Sequence, residues 1–247
     1  MKSLVCAARA ALLVVCLWAG ASQAAVVIGG TRVVFPAKDG EVTLRLSNQG
    51  NSPALVEAWI DDGNATSTPD KVNTPFLITP PLFRIEANKD QSLRIIATAA
   101  NLPTDRESLF WLNVLEIPPK PNGQQFVGKN TLQFAIRSRL KLFYRPAEIS
   151  DDSLKAPSHL TWKPVSDTNG VALEVSNPTP FYITISRASV TASGTPYDVA
   201  SGMVAPRASV RLAVKGLAQS PAAGSAVAFT TINDFGAANT FTGAIAP

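Results

Sequence analysis

Residues 131–146 read TLQFAIRSRLKLFYRP. Apolar side chains recur at every second position, at Leu132, Phe134, Ile136, Leu140, Leu142 and Tyr144, with Ser138 as the one gap. Gln133, Arg137, Arg139 and Lys141 fall on the opposite parity. A two-residue period of this length puts successive side chains on opposite faces of extended backbone, which no helix does. The spacing predicts a long, half-buried β-strand over residues 131–144, preceded by a Pro-, Gly- and Asn-containing loop and closed by Pro146. At a sheet edge such a strand joins unpaired backbone groups to an apolar stripe. That is an aggregation hazard unless offering the edge is its purpose.

The rest of the chain is also short, extended and turn-punctuated, with almost no 3.6-residue periodicity. Candidate strands cover residues 26–35, 41–47, 54–60, 76–79, 82–85, 92–97 and 109–117, separated by turn-rich segments at 48–53, 61–75 and 118–130. With the opening stretch they form an immunoglobulin-like set of strands. The second half repeats the style at 160–165, 171–176, 182–190, 209–214, 226–232 and 239–244. Pro146 and the polar run 150–158 form the expected junction. The expected architecture is all-β, with two immunoglobulin-like β-sandwich domains at residues 25–146 and 147–247. Pro53 and the Thr79-Pro80-Pro81 step are candidates for a cis bond.

Lys2 and Arg9 precede an apolar run over residues 10–19, followed by Ser22-Gln23-Ala24, a small-x-small pattern. Residues 1–24 therefore read as a removable export signal, too short for a comfortable membrane span. Both cysteines, Cys6 and Cys16, lie inside it, so the exported chain is expected to fold without a disulfide. Apolar burial must then supply its stability, and a hydrophobic content of 46% suffices for sizeable cores. The net charge, +4 for the whole chain, falls to about +2 without the leader, and no concentrated basic patch points to nucleic acid.

Side chains that carry chemistry are sparse. His159 is the single histidine, with no exported cysteine to join it in a metal site or a Cys–His dyad, and Ser158-His159-Leu160 has no nucleophile signature. Gly128-Lys129-Asn130-Thr131 lacks the upstream glycine of a phosphate loop and precedes a strand, not a helix. Asn64-Ala65-Thr66 is a sequon of no weight outside a eukaryotic route. Asp61 and Asp62 lack the patterned oxygens of a calcium loop and are assigned to a solvated turn. No catalytic residue, metal or cofactor is expected.

Several segments together resemble one family. Residues 102–118, LPTDRESLFWLNVLEIP, carry an Asp-Arg-Glu-Ser core, Trp111, Asn113 and a closing Ile-Pro. The 132–146 stretch ends in Lys-Leu-Phe-Tyr-Arg-Pro, and Asn177-Pro178-Thr179-Pro180-Phe181-Tyr182 and Ile232-Asn233-Asp234-Phe235-Gly236 follow in the second half. In this order, across essentially the whole exported chain, they resemble the periplasmic chaperones of the chaperone–usher pilus pathway, the PapD-like family. The resemblance implies two immunoglobulin-like domains in an L-shaped arrangement and no enzyme activity. It also implies periplasmic residence, pilus subunits and an outer-membrane usher as partners, and self-capping by a second copy when no subunit is present.

In that family the chaperone lends a strand to a subunit lacking its own last strand. The resemblance implies Leu132, Phe134 and Ile136 as the lent side chains. Their burial contributes roughly 5–9 kcal/mol gross, about 1.5–3 each. A one-residue slip would offer Gln133, Ala135 and Arg137 instead, so register matters. Arg32 and Lys141 match the two cations that grip the subunit's C-terminal carboxylate, for which a guanidinium fork and an ammonium are suited. Glu107, Arg145 and Asp234 match an inter-domain charge network, expected as exposed ion pairs that orient more than they stabilise. Arg137 and Arg139 are assigned to solvated surface. No cysteine pair brackets the 118–130 loop, which favours the short-loop type of rod-like pili. The alternative from another class is a secreted immunoglobulin-like adhesion or structural module.

Overall fold

The computed structural model describes residues 26–98, 101–120, 130, 132–167 and 170–247. The expected leader, residues 1–24, and most of the 118–130 loop on which the short-loop reading rests lie outside the described residues. The described chain is all-β apart from short 3₁₀ turns.

Among the described residues the first sandwich has nine strands: β1 (Val26–Ile28), β2 (Arg32–Pro36), β3 (Glu41–Asn48), β4 (Ala54–Asp61), β5 (Phe76–Thr79), β6 (Leu82–Ile85), β7 (Asp90–Ala97), β8 (Ser108–Ile117) and β9 (Ile136–Arg145). One sheet has the order β1-β3-β7-β5 and the other β2-β9-β8-β4-β6. Alternation decides what faces inward. Leu44 and Leu46 of β3, Leu93 and Ile95 of β7, Val56 of β4, Leu112 of β8 and Leu142 of β9 meet in one core. Phe35, Phe76, Phe110 and Tyr144 pack together on this core with ring centroids 5.0–6.1 Å apart. The Thr79–Pro80 bond is cis.

The expected single strand over 26–35 is broken. β1 pairs with β3 in one sheet and β2 runs parallel to β9 in the other. The chain crosses between sheets at Gly29 and Gly30. A Cβ on Gly29 would stand 3.0 Å from the Arg45 carbonyl oxygen, so the corner needs glycine to approach the neighbouring backbone. β2 is the sheet's edge, which is why Pro36 is tolerated there.

The second sandwich comprises β10 (Thr161–Asp167), β11 (Gly170–Asn177), β12 (Ile183–Ala192), β13 (Thr195–Val199), β14 (Gly202–Val204), β15 (Ala208–Ala213), β16 (Ala226–Ile232) and β17 (Ala238–Ala244). The sheet β10-β11-β15 packs on β13-β12-β16-β17, with β14 also paired to β12. Trp162, Leu173, Ile185, Val204 and Val227 are its buried centre. β13 and β14 are absent from the sequence reading because they are short and carry Pro196 and Gly202. The turn that makes β13 is local: Ser193 and Gly194 both have positive φ, the geometry of a two-residue hairpin loop. The two cores share no residue.

Candidate functional site

β9 is interior to its sheet over only half its length. β8 pairs with it from Ile136 to Tyr144, whereas β2 covers the other side only from Lys141 to Arg145. From Ile136 to Leu140 one edge of β9 has no strand against it among the described residues. The ladder also begins later than the expected 131–144 strand. Leu132 to Ala135 lie outside it, because β8 ends at Ile117 and offers no partner beyond Ile136, and Thr131 lies outside the described residues. The segment is held by Gln133, whose side-chain amide donates to the Pro118 and Pro119 carbonyls at 2.8 Å.

The apolar stripe therefore splits at Ser138. Leu140 and Leu142 belong to the core, while Leu132, Phe134 and Ile136 are 80%, 68% and 53% exposed. Three large apolar side chains of one parity, uncovered beside an unpaired backbone edge, form the kind of surface a monomeric domain avoids.

The free edge ends at two cations. Arg32 opens β2 and is the register partner of Lys141. Both are half-buried, and neither has a carboxylate within 4 Å among the described residues. Arg32 Nη1 donates to the Ile232 carbonyl at 2.9 Å, and Lys141 Nζ donates to Thr184 Oγ1 at 3.1 Å. Arg32 Nε is buried without a hydrogen-bond partner. Burial lowers the pKa of both groups. The Arg32 charge lowers that of Lys141 further, whereas Asp234 and Glu107 partly support the Arg32 charge. Two desolvated positive charges side by side make a site suited to an anion with two acceptor oxygens.

Arg145, at the end of β9, joins the sandwiches. Its Nε donates to Glu107 Oε1 at 2.8 Å, and its two Nη groups donate to Asp234 at 2.8 and 3.1 Å. Glu107 Oε2 accepts the Tyr182 amide at 2.8 Å, and Ser153 Oγ donates to Asp234 at 2.8 Å. The guanidinium lies over Phe181, and Phe143 packs on Tyr182. The three charged residues are thus brought together, but not as the exposed pairs expected: Glu107 is buried. Burial raises the Glu107 pKa despite Arg145. At Asp234 burial is outweighed by the Arg145 hydrogen bond, and the pKa falls.

A second network was not anticipated. Asp61, assigned to a solvated turn, is fully buried, and Arg139, assigned to solvated surface, lies on it with Nε 3.1 Å from Oδ2. Asn113 donates to the same oxygen at 2.7 Å, and its Oδ1 accepts from Arg137 Nε and Nη2 at 2.9 and 2.6 Å. Arg137 and Arg139 lie over the rings of Trp59 and Trp111, at 4.7 and 4.1 Å to the centroids. The odd-numbered face of β9 is covered by these tryptophans and, further along, by the second sandwich, so its cations are partly buried rather than freely solvated. The signal was the shared odd parity of Trp59, Asp61, Trp111, Asn113, Arg137 and Arg139 on adjacent strands, which one strand read alone does not reveal.

No group of three metal-ligating side chains occurs among the described residues. His159 closes a 3₁₀ turn, Ala156–His159, beside a groove lined by Asp151, Asp152 and Thr179.

Residues 25–150 match the family model for the pili and flagellar-assembly chaperone, PapD N-terminal domain, and residues 155–243 that for the pili assembly chaperone PapD, C-terminal domain. The chain is 45% identical over 232 residues to the chaperone protein FimB/FhaD of Bordetella pertussis, covering 92% of this chain and 91% of that one. It is 40% identical over 222 residues to the probable fimbrial chaperone YadV of Escherichia coli K12, covering 90% of each. The crystal structure of YadV chaperone superposes with a TM-score of 0.76 at 38% identity, over 90% of this chain and 100% of that chain. A Salmonella enterica structure of SafA pilin in complex with the SafB chaperone matches with a TM-score of 0.73 at 32% identity, over 92% and 99%.

Proposed function

The chain belongs to the PapD family of pilus-assembly chaperones, and on that premise we propose that it lends the free edge of β9 to pilus subunits and passes them to an outer-membrane usher. It is a fimbrial chaperone and not an enzyme. The observation that carries the finer reading is the junction of two features among the described residues: an edge with no strand against it and Leu132, Phe134 and Ile136 exposed, and a cation pair with no carboxylate within 4 Å where that edge ends.

The geometry also favours a direction. A guest strand along Ile136–Leu140 occupies the space that β2 fills further on, and β2 blocks its advance at Arg32. A guest parallel to β9 arrives there with its C-terminal carboxylate, which the two cations attract. An antiparallel guest would bring its ammonium group and be repelled. Backbone pairing then fixes register, and the three apolar side chains fill the groove the subunit leaves open. The subunit-bearing relative SafB supports this assignment. Residues 25–146 would receive the subunit, and residues 147–247 would brace the cleft through the Arg145 network. In this reading residues 1–24 direct the chain to the periplasm, and a second copy caps the same edge when no subunit is present. A free-standing immunoglobulin-like module would account for neither the exposed stripe nor the cation pair.

Co-expression with a pilus subunit lacking its last strand tests the proposal. The subunit is expected to accumulate and co-purify with this chain. Equal degradation of the subunit with and without the chain would end the reading.

A further inference from the structure

The anchor is assembled from both sandwiches. Arg32 and Lys141 are register partners on β2 and β9, and the groups that hold them, Ile232 and Thr184, are register partners on β16 and β12. Each cation of the first sandwich thus bonds to one position of a matched pair on the second, Arg32 to the Ile232 carbonyl and Lys141 to the Thr184 hydroxyl. We propose that Thr184 is the third group of the carboxylate anchor, fixing the Lys141 ammonium and completing the clamp with its own O–H. This rests on the carboxylate reading given above.

The chemistry of the four partners differs in one respect. The Ile232 carbonyl only accepts, so it does no more than orient Arg32, whose buried Nε is left without a protein partner. The Thr184 hydroxyl accepts from Lys141 and still has a proton to donate. Lys141 gives one of its three N–H groups to Thr184 and keeps two. A carboxylate arriving at the end of the β9 edge meets guanidinium, ammonium and hydroxyl donors together, enough for both its oxygens. Lysine brings a flexible four-carbon stem to this site, and an unheld ammonium would spread over several rotamers. Holding it in place before the guest arrives removes that ordering cost from binding. The second sandwich then contributes directly to subunit affinity, beyond bracing the inter-domain angle.

Thr184→Val keeps the shape and removes the hydroxyl; Thr184→Ser keeps the hydroxyl. The probe is a synthetic peptide with the sequence of the last strand of a co-expressed pilus subunit, as the free acid and as the C-terminal amide. Wild-type chain is expected to prefer the acid. Thr184→Val should lose about tenfold of the acid affinity, as expected for one hydrogen bond to a charged group, with a smaller loss toward the amide, whose carbonyl is an uncharged acceptor. Thr184→Ser should restore the acid preference. Melting temperatures should differ by no more than about 4 °C, the shift expected for losing one part-buried hydrogen bond in a chain of this size. If Thr184→Val binds the acid as tightly as wild type while Lys141→Ala does not, the role of Thr184 is refuted and the carboxylate anchor stands. If wild type binds acid and amide equally, the anchor itself falls, and Thr184 with it.

Discussion

Arg32 and Lys141 stand opposite each other across the parallel β2–β9 pair, half-buried and without a carboxylate within ion-pairing distance of either among the described residues. For folding alone this is a poor arrangement, because each cation is desolvated and Lys141 is further disfavoured by its neighbour. Replacing Lys141 or Arg32 by alanine should therefore change the stability to urea by no more than about 1 kcal/mol. The same substitutions should abolish recovery of a co-expressed subunit. Normal capture by both variants would refute the carboxylate anchor.

Phe134 and Leu142 share a parity on one continuous stretch but occupy opposite environments, one exposed and the other in the core. Leu142→Ala should cost about 2–5 kcal/mol of stability, the range for emptying a core leucine site. Phe134→Ala should leave the free chain as stable as before, yet weaken binding of a subunit by about ten- to a hundredfold, from the lost burial of its ring. Urea titrations and a binding isotherm on each variant separate the two effects. A destabilised Phe134→Ala would mean that the side chain packs within the chaperone.

Much of this was legible in the sequence because it is periodic. Strands β5, β6 and β16 begin and end where alternation and turn residues place them. Alternation reports parity, however, not what covers each face. Leu132, Phe134 and Ile136 look identical in pattern to Leu140 and Leu142, and only the reach of the core, which takes in the last two and stops short of the first three, distinguishes them. Asp61 and Arg139 are far apart in sequence and bond across an intervening strand, so neither segment alone shows that Asp61 is fully buried and Arg139 largely so. Resemblance assigned Arg145 its partners, but the burial of Glu107 comes from Tyr182 and Pro180 of the other sandwich, whose approach no local pattern encodes.

Asp61 should matter for stability despite its place at the end of a strand. Burial alone would raise its pKa, but the hydrogen bonds from Arg139 and Asn113 outweigh this and hold the carboxyl below its ordinary value of 3.8. The folded state thus binds the Asp61 proton less readily than the unfolded state. The stabilisation from this group is complete above about pH 4 and is lost as pH falls below it. Asp61→Ala, which strands Arg139 against Trp111 without its counter-charge, should cost about 3 kcal/mol at neutral pH. Asp61→Asn should flatten the acid limb of stability against pH. An unchanged limb would mean the pair contributes nothing to folding.

Arg145→Ala should be more damaging than a surface ion pair would suggest, because it leaves the buried Glu107 carboxylate without its cation. A loss of about 3 kcal/mol is expected, together with a wider spread of inter-domain orientations in small-angle scattering. Burial already raises the Glu107 pKa, and removing Arg145 raises it further. The folded variant then binds a proton more readily than the unfolded chain, in the window between glutamate's ordinary 4.5 and the raised value. Stability of Arg145→Ala should therefore increase as pH falls through that window, so its deficit against wild type is smaller at about pH 5 than at about pH 8. Adding Glu107→Gln should recover part of the loss at the higher pH and remove this pH dependence. If the double variant is as unstable as Arg145→Ala at both pH values, the penalty does not come from the stranded carboxylate.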